Sequence, residues 1–229
     1  MRPTGFSTGA LTKGDFATAM DWLEGEACDA IELSALREDE LKPLLSSINE
    51  MDLSKYKYKS IHVPKQFVKL SEQQAVEMLL PLVSKGFNFV LHPDAILDFD
   101  VWKKLGSALC IENMDMRKAT GRTAQELCEV FDRLPQSRLC FDIGHARQVD
   151  PTMAVAAGIV VSFGQRISHI HASEVDTVGG HWAMSALCMN AFSEFNKHLA
   201  KDVAIIIESQ IPRSGIGREI DHARSVFSD

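Results

Sequence analysis

No apolar run in the 229-residue chain is long enough to span a bilayer. The opening stretch from Met1 to Ser7 lacks the basic start, apolar middle and small-residue cleavage site of a secretory signal, so a cytoplasmic protein is expected. Cysteine is scarce and shows no C-x-x-C pair: Cys28, Cys110, Cys128, Cys140 and Cys188 are an odd set that suits buried thiols in a reducing compartment. Positive charge is in deficit, with 24 Lys and Arg against 31 Asp and Glu and a formal net charge of -7. That balance argues against nucleic acid as a partner, because affinity for a phosphate backbone comes mainly from Lys and Arg. A small-molecule substrate is the expected partner, and a homo-oligomer is left open. Low-complexity stretches, long linkers and charge blocks are also missing, so residues 1–229 read as one domain.

What the chain does have is a recurrent pattern, a short β-prone apolar run followed by helical spacing. Eight runs read as strands: Gly5–Gly9, Ala30–Leu33, Ser60–Val63, Phe89–His92, Ala108–Glu112, Leu139–Asp142, Ile167–His171 and Val203–Glu208. Between them, Ser71-x-x-Gln74 and Thr123-x-x-Glu126 read as capping boxes that start helices, and Ala154–Phe163 as a short helix. Alternation of strand and helix implies parallel strands joined by crossover helices. Eight such units in this length predict a closed (β/α)8 TIM barrel, with an open doubly wound sheet as the alternative.

Nearly every expected strand finishes in a residue able to bind a metal or move a proton: Glu32, His62, His92, Glu112, Asp142, His171 and Glu208. In a barrel those ends share one mouth, so residues dispersed in sequence become neighbours. His145 and His181 follow shortly after strands and join them. A lone His on a strand is more often a core histidine, the reading taken for His169, and His198 and His222 fall in helical segments. A carboxylate after Ala204-Ile-Ile-Ile207, however, is a buried charge that costs several kcal/mol unless something pairs it. A divalent ion is one such partner. Mixed carboxylate and imidazole ligands suit Zn, Mn, Fe, Co or Mg, and one to three ions.

The segments Cys110-Ile-Glu112-Asn113-Met114, Phe141-Asp142-Ile-Gly-His145, His169-Ile-His171, His181 and Ile207-Glu208 resemble the xylose-isomerase-like TIM-barrel superfamily. It contains sugar isomerases, ketose 3-epimerases, inosose dehydratases and type IV apurinic endonucleases. Gly5-Phe-Ser-Thr-Gly9, Ile31-Glu-Leu-Ser-Ala-Leu-Arg37 and Glu112-Asn-Met114 are similar to bacterial TIM-barrel proteins of that superfamily. The isomerase and epimerase branch implies Glu112, Asp142, His171 and Glu208 as metal ligands, with His145 on substrate oxygens. The endonuclease branch implies a multinuclear zinc cluster on His62, His92, Glu112, Asp142, His145, His171, His181 and Glu208. That branch carries an Asp two residues before the last His, where this chain has Gly179.

Three functions are weighed, in this order. The first is isomerisation or epimerisation of a small sugar or sugar phosphate through a metal-stabilised enediolate, with Glu112 and Glu208 as acid and base on opposite sides of the reacting carbon. His145 and Lys65 would hold hydroxyls or a phosphate. The second is phosphoester hydrolysis by two or more ions, for which His62, His92 and His181 are the distinguishing residues. The third is a barrel that binds a ligand without turnover. Further substrate-binding candidates are Glu32, placed at the rim, Asn113, Arg117 in the basic loop 114–122, and Trp182 as an apolar wall. Arg213–Gly217 lies where barrels often bind phosphate, or is a turn.

Overall fold

The computed structural model describes residues 1–228. Each apolar run forms a strand: β1 (Thr4–Ser7), β2 (Ala30–Ser34), β3 (Tyr58–His62), β4 (Asn88–Leu91), β5 (Leu109–Glu112), β6 (Arg138–Asp142) and β7 (Ile167–Ala172). A two-residue hairpin, β8 (Glu174–Val175) with β9 (His181–Trp182), precedes β10 (Ala204–Ile207). Eight strands close a parallel barrel in the order β1-β10-β7-β6-β5-β4-β3-β2, which is the (β/α)8 architecture. No helix among the described residues is long and apolar enough to cross a membrane.

Alternation along each strand divides the side chains between two environments. Phe6, Leu33, Phe89, Ile111, Phe141 and Ile170 belong to the main core, where the barrel meets its ring of helices, and all are fully buried. Each such side chain contributes roughly 1.5–3 kcal/mol by leaving water. The inward positions are different in kind. Ala30, Ala204 and Ile206 with Tyr58, and Val90 with Cys110 and Cys140, form two small apolar groups apart from the main core. Glu32, Ser60 and His169 are buried among the inward positions as well.

Helix starts follow the local chemistry. Ser71 and Gln74 make both halves of a capping box before Glu72–Val83. At Thr123 only one half forms: its side chain accepts from the Glu126 N–H at 3.3 Å, while the Glu126 carboxylate accepts from the Arg122 N–H and guanidinium instead. The short helix at Ala154–Phe163 is present with the expected bounds. Strand β2 runs on to Ser34, so Glu32 lies two residues short of the strand end and well inside the barrel.

Candidate metal centre

The mouth is built from strand ends. His62, Glu112 and Asp142 finish β3, β5 and β6, while His92 and Glu208 are the first residues past β4 and β10. His171 reaches the same layer through a β-bulge. Leu139 pairs with Ile167, but Cys140 pairs with His169 and Asp142 with His171, leaving Ser168 as the extra residue. Continued alternation from Ile167, which packs in the main core, would have sent both histidines outward. The bulge turns them into the barrel beside Cys140 and Asp142.

Glu112 is the hub. Its Oε2 lies 3.2 Å from His62 Nε2 and 3.0 Å from His92 Nε2, and its Oε1 lies 3.1 Å from His171 Nδ1. The other ring nitrogen of His62 donates to Val63 O at 2.9 Å, which leaves Nε2 free to act as a ligand. Burial opposes the Glu112 charge, but His171 and His92 outweigh it and hold the carboxyl well below the usual range. Burial lowers His92, keeping it neutral, as a ligating imidazole must be. His171 differs: burial opposes its charge too, yet Cys140, Glu208, Glu32 and Glu112 raise it well above the ordinary histidine value.

Three groups of ligand atoms lie close enough to hold an ion: Glu112, Asp142, His171 and Glu208; His62, His92 and Glu112; and Asp142, His145 and His181. A fourth, Cys140 with His169 and His171, lies deeper in the barrel. Asp142 tests the fit to a metal. Its Oδ1 accepts from the His145 N–H at 2.7 Å, whereas the buried Oδ2 has no hydrogen-bond donor. His145 Nδ1 approaches that oxygen at 3.2 Å but is aimed at Asn113 O, 3.0 Å away. Burial first, then the charges of Glu208 and Glu112, drive Asp142 well above the ordinary carboxylate range. A divalent ion among these oxygens and imidazoles would satisfy the orphaned Oδ2 and relieve the repulsion, so the donor set fits one.

A cavity of about 570 Å³ opens above the centre, lined by His62, His92, Glu112, His145, His181 and Glu208 among others. His181 is steered by Ser173 Oγ, 2.9 Å from its Nδ1, and lies 3.4 Å from Glu208 Oε2. Lys65, Arg117 and Lys118 bring positive charge to the same cavity.

Three expected substrate contacts are placed elsewhere. Glu32 is fully buried and accepts from Ser60 Oγ at 2.9 Å, with its Oε2 3.1 Å from His171 Nε2, so it supports a ligand from below. Asn113 spends its amide on the Asp142 backbone, donating to the carbonyl and accepting from the N–H, both at 2.8 Å. Trp182 is 55% exposed and donates to Asp176 Oδ2 outside the cavity. Arg213 pairs with Asp21 at 3.2 Å, and the turn around it does not line the cavity. His169 does point inward, with Nδ1 2.6 Å from the Tyr58 hydroxyl.

Sequence reasoning passed over Asp115 and Ser173, which orient Arg117 and His181. Asp115-x-Arg117 spacing was the available signal for the first. At Gly179, where the endonuclease-like pattern has an aspartate, the backbone takes φ +80° and the space for a side chain is filled by the Arg117 guanidinium.

No protein-family model and no curated protein sequence matches the chain. Solved structures do. The IolI protein, whose crystal structure holds a zinc atom, aligns over 100% of this chain and 98% of its own, with a TM-score of 0.68 and 14% identity. A provisionally named sugar phosphate isomerase/epimerase from Anabaena variabilis aligns over 96% of this chain and 88% of its own, at TM-score 0.60 and 14% identity. SacUVDE aligns over 99% of both chains at TM-score 0.60 and 12% identity. At such identities the likeness is one of fold, and the fold shared with these structures is the closed parallel (β/α)8 barrel.

Proposed function

We propose that the protein is a divalent-metal-dependent phosphoester hydrolase acting on a small anionic substrate. The observation that carries this is the double orientation of Glu112. One oxygen faces His62 and His92 while the other faces His171, as a carboxylate shared between two ions requires. An isomerase built on one ion has no use for His62 and His92 as ligands. Lys65 and the guanidinium N–H groups of Arg117 that Asp115 leaves unused favour an anionic substrate, while Lys118 is already paired with Asp94 at 2.6 Å. The net charge of -7 disfavours a long nucleic acid.

In this reading Glu112, Asp142, His171 and Glu208 hold one ion, and His62 and His92 with Glu112 hold a second. Ions so placed supply Lewis acidity and make water more acidic. The chain supplies the rest. His62, held through Nδ1 by Val63 O, and neutral His92 turn their Nε2 atoms to Glu112, and Asn113 locks the ends of β5 and β6 together. His181, whose Nδ1 accepts from Ser173 Oγ, stands with His145 beside the substrate space with its Nε2–H available to a phosphoryl oxygen. Lys65, with an exposed side chain, attracts the anion to the mouth.

Isomerisation or epimerisation of a sugar-type substrate is the second reading. It is favoured by the closed four-ligand group Glu112, Asp142, His171 and Glu208, which is sufficient for a single ion. The name of the Anabaena neighbour points the same way. Elemental analysis with anomalous scattering, followed by phosphate release from a panel of small phosphoesters, separates the two. Two ions and released phosphate support hydrolysis. One ion, no phosphate, and solvent deuterium incorporated into a hydroxycarbonyl compound would replace it with the isomerase reading.

A further inference from the structure

Arg117 is fixed as few exposed arginines are. Its Nε and Nη2 donate to Asp115 Oδ1 and Oδ2 at 2.9 and 2.7 Å, and its Nη1 donates to Val178 O at 2.7 Å. This fork-on-carboxylate pairing sets the plane of the guanidinium. Asp115 is itself held, since its side chain is 3% exposed and Oδ1 also accepts from the Arg117 backbone N–H at 2.8 Å. The clamp occupies three of the five guanidinium N–H groups and leaves two without a protein partner among the described residues. The side chain is 48% exposed and lines the cavity with His145 and His181.

Gly179 completes the arrangement. The guanidinium lies against its backbone so closely that even a methyl group there would overlap it, and φ of +80° disfavours any side chain besides. The neighbouring group Asp142, His145 and His181 has one carboxylate, already shared with the central cluster. The Arg117 guanidinium lines the same cavity, and the aspartate found at position 179 in the endonuclease-like pattern is absent from this group.

We propose that Arg117 is a substrate-binding residue: its two remaining N–H groups take an anionic oxygen, of the phosphoryl class, on the His145–His181 side, where an immobile guanidinium stands in place of a third metal ion. The substrate class rests on the phosphoester reading above. The cation in the cavity does not.

The test is calorimetric binding of inorganic phosphate to metal-loaded wild type, Arg117→Met, Arg117→Lys and Gly179→Ala, with thermal melting and metal content measured on each. Arg117→Met is expected to weaken phosphate binding about tenfold or more at unchanged metal content, with Arg117→Lys in between because a lysine cannot hold the fork. Gly179→Ala should reproduce the loss although Arg117 is still present, since the methyl must push the guanidinium away. Unchanged phosphate affinity in a folded Arg117→Met protein overturns the proposal, as does a wild type that binds three ions. If phosphate binding depends on Arg117 but no phosphoester is turned over, the anion site stands and the hydrolase reading falls. If phosphoesters are turned over and Arg117→Met binds phosphate normally, the reverse holds.

Discussion

Glu32 Oε2 lies 3.1 Å from His171 Nε2, one layer below the mouth, while the opposite nitrogen of the same ring faces Glu112. A carboxylate behind a ligating imidazole fixes the ring, assigns its proton and raises its basicity. Replacing Glu32 by Gln keeps the size and removes the charge. Metal affinity is expected to fall roughly 10–100-fold while the far-ultraviolet dichroism stays unchanged. Chelator competition measures it, and an unaltered affinity would show that His171 needs no such support.

Glu208→Gln separates the centre from the scaffold. Glu208 follows β10, touches His171 and His181, and takes no part in the apolar core, so its loss should abolish metal-dependent turnover and leave the fold intact. His198→Ala is the control, because that histidine is exposed in the turn Asn196–His198, and its loss should change neither activity nor melting temperature. Full activity in the Glu208 variant would remove the proposed site altogether.

The barrel was legible because strands buried on both faces read as apolar runs such as Ala204-Ile-Ile-Ile207, and because the mouth residues interrupt those runs at their ends. The misplacement of Glu32 has a local cause. The apolar run Ala30-Ile-Glu-Leu33 places its acid next to the expected end, while the polar Ser34 gives no sign that the strand continues. The bulge at Ser168 was invisible for a related reason: no glycine marks it, and its signature is a pairing register between β6 and β7 rather than a residue type. Asn113 was expected to bind substrate and Trp182, beside His181, to form an apolar wall over it; Trp182 instead stands 55% exposed outside the cavity. No residue type signals that the Asp142 backbone occupies the Asn113 amide or that Asp176 accepts from the Trp182 indole N–H.

Acid stability should carry the mark of Asp115. Burial raises its pKa, but the side chain and backbone of Arg117 prevail and lower it from 3.8 to about 2. A carboxyl depressed on folding stabilises the protein above its unfolded pKa, and that contribution disappears as pH falls from about 3.8 to about 2. The shift corresponds to at most ~2 kcal/mol, less in practice because Arg117 is half exposed and solvent screens the pair. Denaturant melts of wild type and Asp115→Asn should therefore differ at pH 6 and converge near pH 2. A gap that persists at pH 2 would mean that the asparagine disturbs packing rather than charge.

Loading the centre should release protons. Burial and the charges of Glu208 and Glu112 push Asp142 toward its protonated form, and for His171 burial favours the neutral ring but the anions around it outweigh that and favour the protonated one. Ligation needs both groups without those protons, so metal binding near neutral pH is expected to expel about one to two protons for the central site. Calorimetry in buffers of different ionisation enthalpy counts them directly. Affinity should accordingly rise with pH, in the direction opposite to that of a site whose ligands are already deprotonated and whose competitor is hydroxide. If the observed binding enthalpy is the same in every buffer, Asp142 and His171 are not both ligands. The central ion would then have to be sought in the His62, His92 and Glu112 group, where burial already keeps His92 neutral.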